Sequence, residues 1–170
     1  MTFSLRSALL AATCCTLLLV LTSCFSLPVD AHLLPKKFET GIGGLLLFGP
    51  WYSVQLENGS LYYEIRPAAG AGGKTFTTKI DPTNEQWKEF RISLDALQVW
   101  KWQKNYSHLE VQDGTSWGLT IEYPDHAVTS GGFNGYPDAS GQLDPNFTQS
   151  KAFRDYCAAV KKLIGDRDFY

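Results

Sequence analysis

Cysteine is scarce in the part of this chain that has to fold. Of four cysteines, Cys14, Cys15 and Cys24 fall within the first 24 positions, which leaves Cys157 alone in the body. An intramolecular disulfide is thereby excluded there, and the core must stand on apolar burial. Histidine is equally sparse. His32, His108 and His126 have no His-x-x-x-His or Cys-x-x-Cys companion, so no metal site is indicated and surface placement is expected. The 15 Lys and Arg are scattered among 17 Asp and Glu, and a formal charge of −2 offers no phosphate-binding face, so no nucleic-acid partner is expected. An uninterrupted apolar run of the roughly 20 residues that cross a bilayer is also missing.

What is present begins with an address. Arg6 stands alone in a short polar start, and Ala8 to Leu21 is free of charge, which is the layout of a secretory signal peptide. Leu21-Thr22-Ser23-Cys24 then resembles a bacterial lipobox, in which the cysteine is acylated and becomes the new N-terminus. The resemblance implies a signal peptide over 1–23, lipid attachment at Cys24 and a membrane partner through that anchor. Phe25 after the cysteine, where the inner-membrane sorting pattern has Asp, points to the outer membrane of a cell that has one. Cleavage after Val29-Asp30-Ala31 is the rival, and would release a soluble secreted protein.

Residues 24–47 mix Pro28, Pro35, Lys36, Lys37 and the glycines 41, 43 and 44 without a persistent period, and are expected to form a tether. Residues 48–170 are expected to form one globular domain, since five Trp, ten Phe and eight Tyr supply ample apolar surface. Leu45 to Phe48 is its docking point or the start of a first strand. Tyr52, Val54 and Leu56 alternate, Asn58-Gly59 supplies the positive-φ pair of a type I′ turn, and Leu61 to Ile65 returns, which predicts a hairpin. Phe76, Thr78 and Ile80 mark a third strand. A helix carrying Trp87, Phe90, Leu94 and Leu97 on one face follows, opened by Asp81-Pro82 or by a capping box at Thr83-x-x-Gln86.

The second half repeats this order. Val99 to Gln103 and His108 to Gln112 read as extended, Asp113-Gly114 as a tight turn, and Trp117, Leu119, Ile121 and Tyr123 as the next strand, leading to Ala127 to Ser130. Asp144-Pro145 is expected to open a last helix with Phe153, Tyr156, Cys157, Val160, Leu163 and Ile164 on its apolar face. The fold class is α+β: an antiparallel sheet of about six strands with two helices on one face, arranged as a tandem β-β-β-α repeat.

No sequence motif carries a reaction or a cofactor. Ala68 to Thr75 misses the phosphate-cradling pattern at its first glycine and precedes a strand rather than a helix, and Gly-x-Ser-x-Gly is absent. A small hydrolase would need Glu64, His108, Asp113, His126 or Asp138 to converge in a pocket. The sequons at Asn58, Asn105 and Asn146 read as turns, and Cys157 as buried packing. The aromatics Trp100, Trp102, Phe133 and Tyr136, with Asn134, are the candidates for stacking on a glycan or peptide, although the glycine-rich 130–137 loop is more simply read as pinned to the core by Phe133 and Tyr136.

Four segments carry a resemblance: Trp87-Lys88-Glu89-Phe90, Trp100-Lys101-Trp102, Asp113-Gly114-Thr115-Ser116-Trp117, and Gly132-Phe133-Asn134-Gly135-Tyr136-Pro137. Over roughly residues 80 to 165 the chain resembles a family of uncharacterised bacterial exported proteins. That resemblance implies no activity. It leaves a lipid-anchored envelope protein that binds or scaffolds as the expectation, with a secreted glycan- or peptide-binding module as its alternative.

Overall fold

The computed structural model describes residues 33–44, 49–108, 110, 113–146 and 148–170. Cys24, the lipobox, the Ala31 site and Leu45 to Phe48 lie outside the described residues. Seven strands form one sheet: β1 (Lys37–Gly44), β2 (Trp51–Glu57), β3 (Ser60–Arg66), β4 (Phe76–Ile80), β5 (Tyr106–Ser107), β6 (Thr115–Glu122) and β7 (Ala127–Phe133). Their order across it is β4-β3-β2-β1-β6-β7-β5, and every pairing is antiparallel except β5 on β7. The helices α1 (Asn84–Ala96) and α2 (Lys151–Leu163) complete an α+β fold.

The period-2 pattern decides which face is covered. Phe38, Thr40 and Ile42 of β1 register with Val54 and Tyr52 of β2 and with Ile121, Leu119 and Trp117 of β6, so one face carries the apolar set. Both helices seat there. Phe38 meets Phe90 of α1 at 5.2 Å between ring centroids, and Trp117 meets Phe153 of α2 at 4.7 Å. Each large side chain buried in this way contributes about 1.5–3 kcal/mol, and each well-angled aromatic pair about 0.5–1.5 more. The other face carries the odd-numbered residues of β1, β2 and β4 and the even-numbered residues of β3 and β6, and neither helix packs on it.

Local signals start both helices. Thr83 Oγ1 accepts from the Gln86 amide at 3.2 Å while the Thr83 amide donates to Gln86 Oε1 at 2.8 Å, a complete capping box. At α2 the cap is Ser150, whose Oγ accepts from the Phe153 amide at 3.1 Å. Asp144-Pro145 therefore does not open this helix. The Asp144 carboxylate instead accepts from the amide of Asn146, two residues on, and closes a local turn.

Other expectations change as well. Residues 37–44, expected within a tether, form the central strand of the sheet. Glycine at 41, 43 and 44 disguised it, because the second half of the strand has only the Ile42 side chain to show a period. Val99–Lys101 is a 3-10 turn entered through Gln98 at φ 52°, not an extended segment. The short β5 ends at Ser107 and pairs parallel to β7, while residues 109, 111 and 112 of the extended segment expected before Asp113-Gly114 lie outside the described residues. The described residues form seven strands, in keeping with a sheet of about six, and the halves share an order of elements without sharing a pairing pattern: β1 to β4 form a meander, whereas β6 and β7 are flanked by β1 and β5.

Candidate functional site

The uncovered face of the sheet holds a trough of about 730 Å³. Its floor follows from the sequence. Gly41 of β1 and Gly118 of β6 line it side by side, and Gly131 of β7 continues their cross-strand row, so three adjacent strands present no side chain there. A Cβ built on Gly118 would meet nothing within 4 Å, so this position opens directly onto the trough. Trp51 closes one side. A Cβ on Gly41 would come 2.7 Å from Cζ2 of Trp51 and one on Gly43 3.0 Å from Cε3, so the indole rests against both glycines. The Arg66 guanidinium carbon lies 5.9 Å from the indole centroid.

The rest of the lining is polar. Glu39, Gln55 and Thr120 share one cross-strand row, and Ser53, Glu64 and Thr77 the next. Two of its carboxylates are paired: Arg66 Nε contacts Glu64 Oε1 at 2.9 Å, and Lys37 Nζ lies 3.4 Å from Glu39 Oε2, while Glu57 adds a third. These exposed pairs contribute little stability, but they match both cations and leave the trough with a small acidic excess.

The residues singled out from sequence are placed elsewhere. Trp102 is buried against Trp117, Phe153 and Tyr156, and Tyr136 against Phe153 at 4.8 Å. Asn134 is buried at φ 52° and bonds the backbone of residues 113 and 115. Phe133 is half-buried at the end of β7. Trp100 is half-buried in a network with α1: its Nε1 donates to Asp95 Oδ1 at 2.7 Å, and Arg91 lies 5.1 Å from its ring and 4.5 Å from that of Tyr123. Arg91 also donates from Nη1 and Nη2 to the two Asp125 carboxylate oxygens, at 3.0 and 2.8 Å. This fork, followed by the His126 ring, holds the Asp125 carboxyl well below the usual carboxylate range. The network ties α1 to the β6–β7 turn and uses every donor face of Arg91, so it reads as a latch.

The titratable candidates are dispersed. Glu64 lines the trough; the Asp138 carboxylate accepts from Ser140 and Gln142 within its own turn, which lowers its pKa; His108 Nε2 lies 3.3 Å from the Asp144 carbonyl; His126 belongs to the latch. Among the described residues no group of three or more His, Cys, Asp or Glu is placed to hold a metal ion, and no helix is long and apolar enough to cross a membrane. No protein-family model and no curated protein matches the chain.

Sequence reasoning passed over Gly41, Trp51, Gly118 and Gly131. The signal for them is glycine recurring on the non-core positions of strands: Gly41 and Gly43 between Thr40, Ile42 and Gly44, and Gly118 between Trp117 and Leu119.

Proposed function

We propose that this chain is an exported binding domain, anchored to the cell envelope through Cys24, whose ligand surface is the trough on the uncovered sheet face. The observation that carries the binding reading is the pairing of a glycine floor with a fixed indole, on a face that neither helix covers. Glycine in strand interiors costs about 0.5–1 kcal/mol each relative to alanine, so a row of three on interior strands marks a place where something approaches the backbone closely. Two of the three trough carboxylates, Glu64 and Glu39, are ion-paired with Arg66 and Lys37, which favours recognition over proton transfer. The envelope address rests on the leader and the lipobox resemblance alone.

The address is tested by growing a bacterium that makes the protein with a radioactive fatty acid. Label on the protein that disappears in Cys24→Ala is expected. No label, or label that survives the substitution, contradicts the anchor and leaves the released form that starts after Ala31.

A further inference from the structure

Resting on that reading of the trough, we propose that its ligand is a neutral glycan, stacked on Trp51 and hydrogen-bonded by the polar rows beside it. Three properties of the site select this chemistry.

The first is charge. A phosphate-bearing or polyanionic ligand needs unpaired cations, and Arg66 and Lys37 are each matched by a carboxylate at 2.9 and 3.4 Å. A cationic ligand finds Glu39 and Glu64 already engaged, which leaves Glu57 as the one lining carboxylate outside these pairs. With both cations matched and a single carboxylate in excess, charge rules against a polyanion and gives a polycation little purchase, so an uncharged partner is favoured.

The second is the surface itself. Glu39, Gln55, Glu64, Ser53, Thr77 and Thr120 offer hydroxyl, amide and carboxylate oxygens beside one indole. An acyl chain would strand these groups without water or partner. A sugar matches both parts: its C–H face lies on an aromatic ring, and its equatorial hydroxyls exchange donors and acceptors with short polar side chains. Trp51 is suited to be that ring because Gly41 and Gly43 support it from below, so little side-chain freedom is lost on binding.

The third is the backbone. An extended peptide commonly docks by adding a strand to a sheet edge, where N–H and C=O groups are unpaired. The trough lies over β2, β1, β6 and β7 and reaches β3 and the edge strand β4 through Glu64 and Thr77. Its floor, Gly41 and Gly118, is paired on both sides, so main-chain recognition of a peptide is closed off at the floor, where side-chain recognition of a ligand lying on the face is what remains.

The test uses the full chain extracted in detergent and titrated with cellohexaose, chitohexaose and maltohexaose, followed by calorimetry and tryptophan fluorescence. At least one of these is expected to bind. Affinity should fall about tenfold or more in Trp51→Ala and in Gly118→Leu, whose new side chain enters the open trough, and stay within about twofold in Trp100→Phe, which is in the latch. Raising salt from about 50 to about 500 mM should change affinity less than about twofold. Binding that survives both trough substitutions, or that falls about tenfold with salt, overturns the proposal. If no hexasaccharide binds, a photo-reactive residue at position 118 separates the two failures. Cross-linking to a protein or an anionic polymer in the envelope removes the glycan and keeps the binding face, whereas no cross-link at all removes both.

Discussion

Asn134 occupies the space that a side chain on residue 114 would need: a Cβ on Gly114 would fall 1.7 Å from Asn134 Oδ1. The two residues form one joint. Asn134 Oδ1 accepts from the Thr115 amide at 2.9 Å, and its Nδ2 donates to the Asp113 carbonyl at 3.0 Å, so the start of β6 is held by a side chain from the end of β7. The Asp-Gly-Thr-x-Trp and Gly-x-Asn-x-Tyr-Pro segments are thus two halves of a structural contact.

Removing either half should therefore be costly, and the two effects should not add. Asn134→Ala leaves the buried Thr115 amide unpaired, for about 1–3 kcal/mol. Gly114→Ala overpacks the joint by a similar amount. In the double variant the alanine methyl enters space vacated by the amide, so the summed loss should exceed the measured one. Urea denaturation of the four proteins in the cycle checks this; strict additivity contradicts the joint.

Two buried tyrosines should respond oppositely to loss of the hydroxyl. Tyr156 donates to Thr40 Oγ1 at 2.7 Å, and Thr40 in turn donates to the Gly118 carbonyl at 2.9 Å, joining α2 to β1 and β6. Tyr156→Phe should cost about 0.5–1.5 kcal/mol. The Tyr123 hydroxyl is buried without a hydrogen-bond partner among the described residues, so Tyr123→Phe should be neutral or stabilising. Paired thermal melts distinguish the two.

The latch should weaken in acid. The folded-state pKa of Asp125 is lowered, first by its hydrogen bonds to Arg91. Its contribution is therefore complete above the unfolded value of about 3.9 and lost as pH falls toward the folded value. The Tm gap between the parent chain and Asp125→Asn, present at neutral pH, should close as pH drops below about 4. A gap that widens in acid would reverse the assigned sign.

Cys157 should be chemically quiet. Burial pushes its thiol up to about 12, so the reactive thiolate is rare at neutral pH. Ellman's reagent should modify it slowly in the folded protein and fast after denaturation. Equal rates would place the thiol in solvent.

The sequence was most legible where a local device acts alone. Asn58 and Gly59 adopt φ values of 50° and 82° in the turn between β2 and β3, as their chemistry requires, and Thr83 and Gln86 close their box without help from the rest of the chain. It was least legible where tertiary contacts decide. Ser150 caps α2 while its hydroxyl also bonds the Pro137 carbonyl, a contact from another loop, whereas Asp144-Pro145 looks like a cap and is a turn. Trp102 resembles an exposed stacking residue in a polar neighbourhood, yet the core absorbs it, whereas Tyr136 pins its glycine-rich loop to the core as the simpler reading expects. The trough escaped notice for the converse reason: Gly41, Gly118 and Gly131 act through the side chains they lack, and only strand register places them in one row.

Amide chemical-shift mapping during titration of the labelled protein with fragments of envelope polysaccharide tests the trough most directly. The largest shifts are expected at Gly41, Gly118 and Gly131 and at the Trp51 indole N–H, with the amides of Arg91 and His126 unmoved. Shifts concentrated around Trp100 and His126, or along β4, with the glycine row silent, would contradict the assignment of the uncovered sheet face as the binding surface.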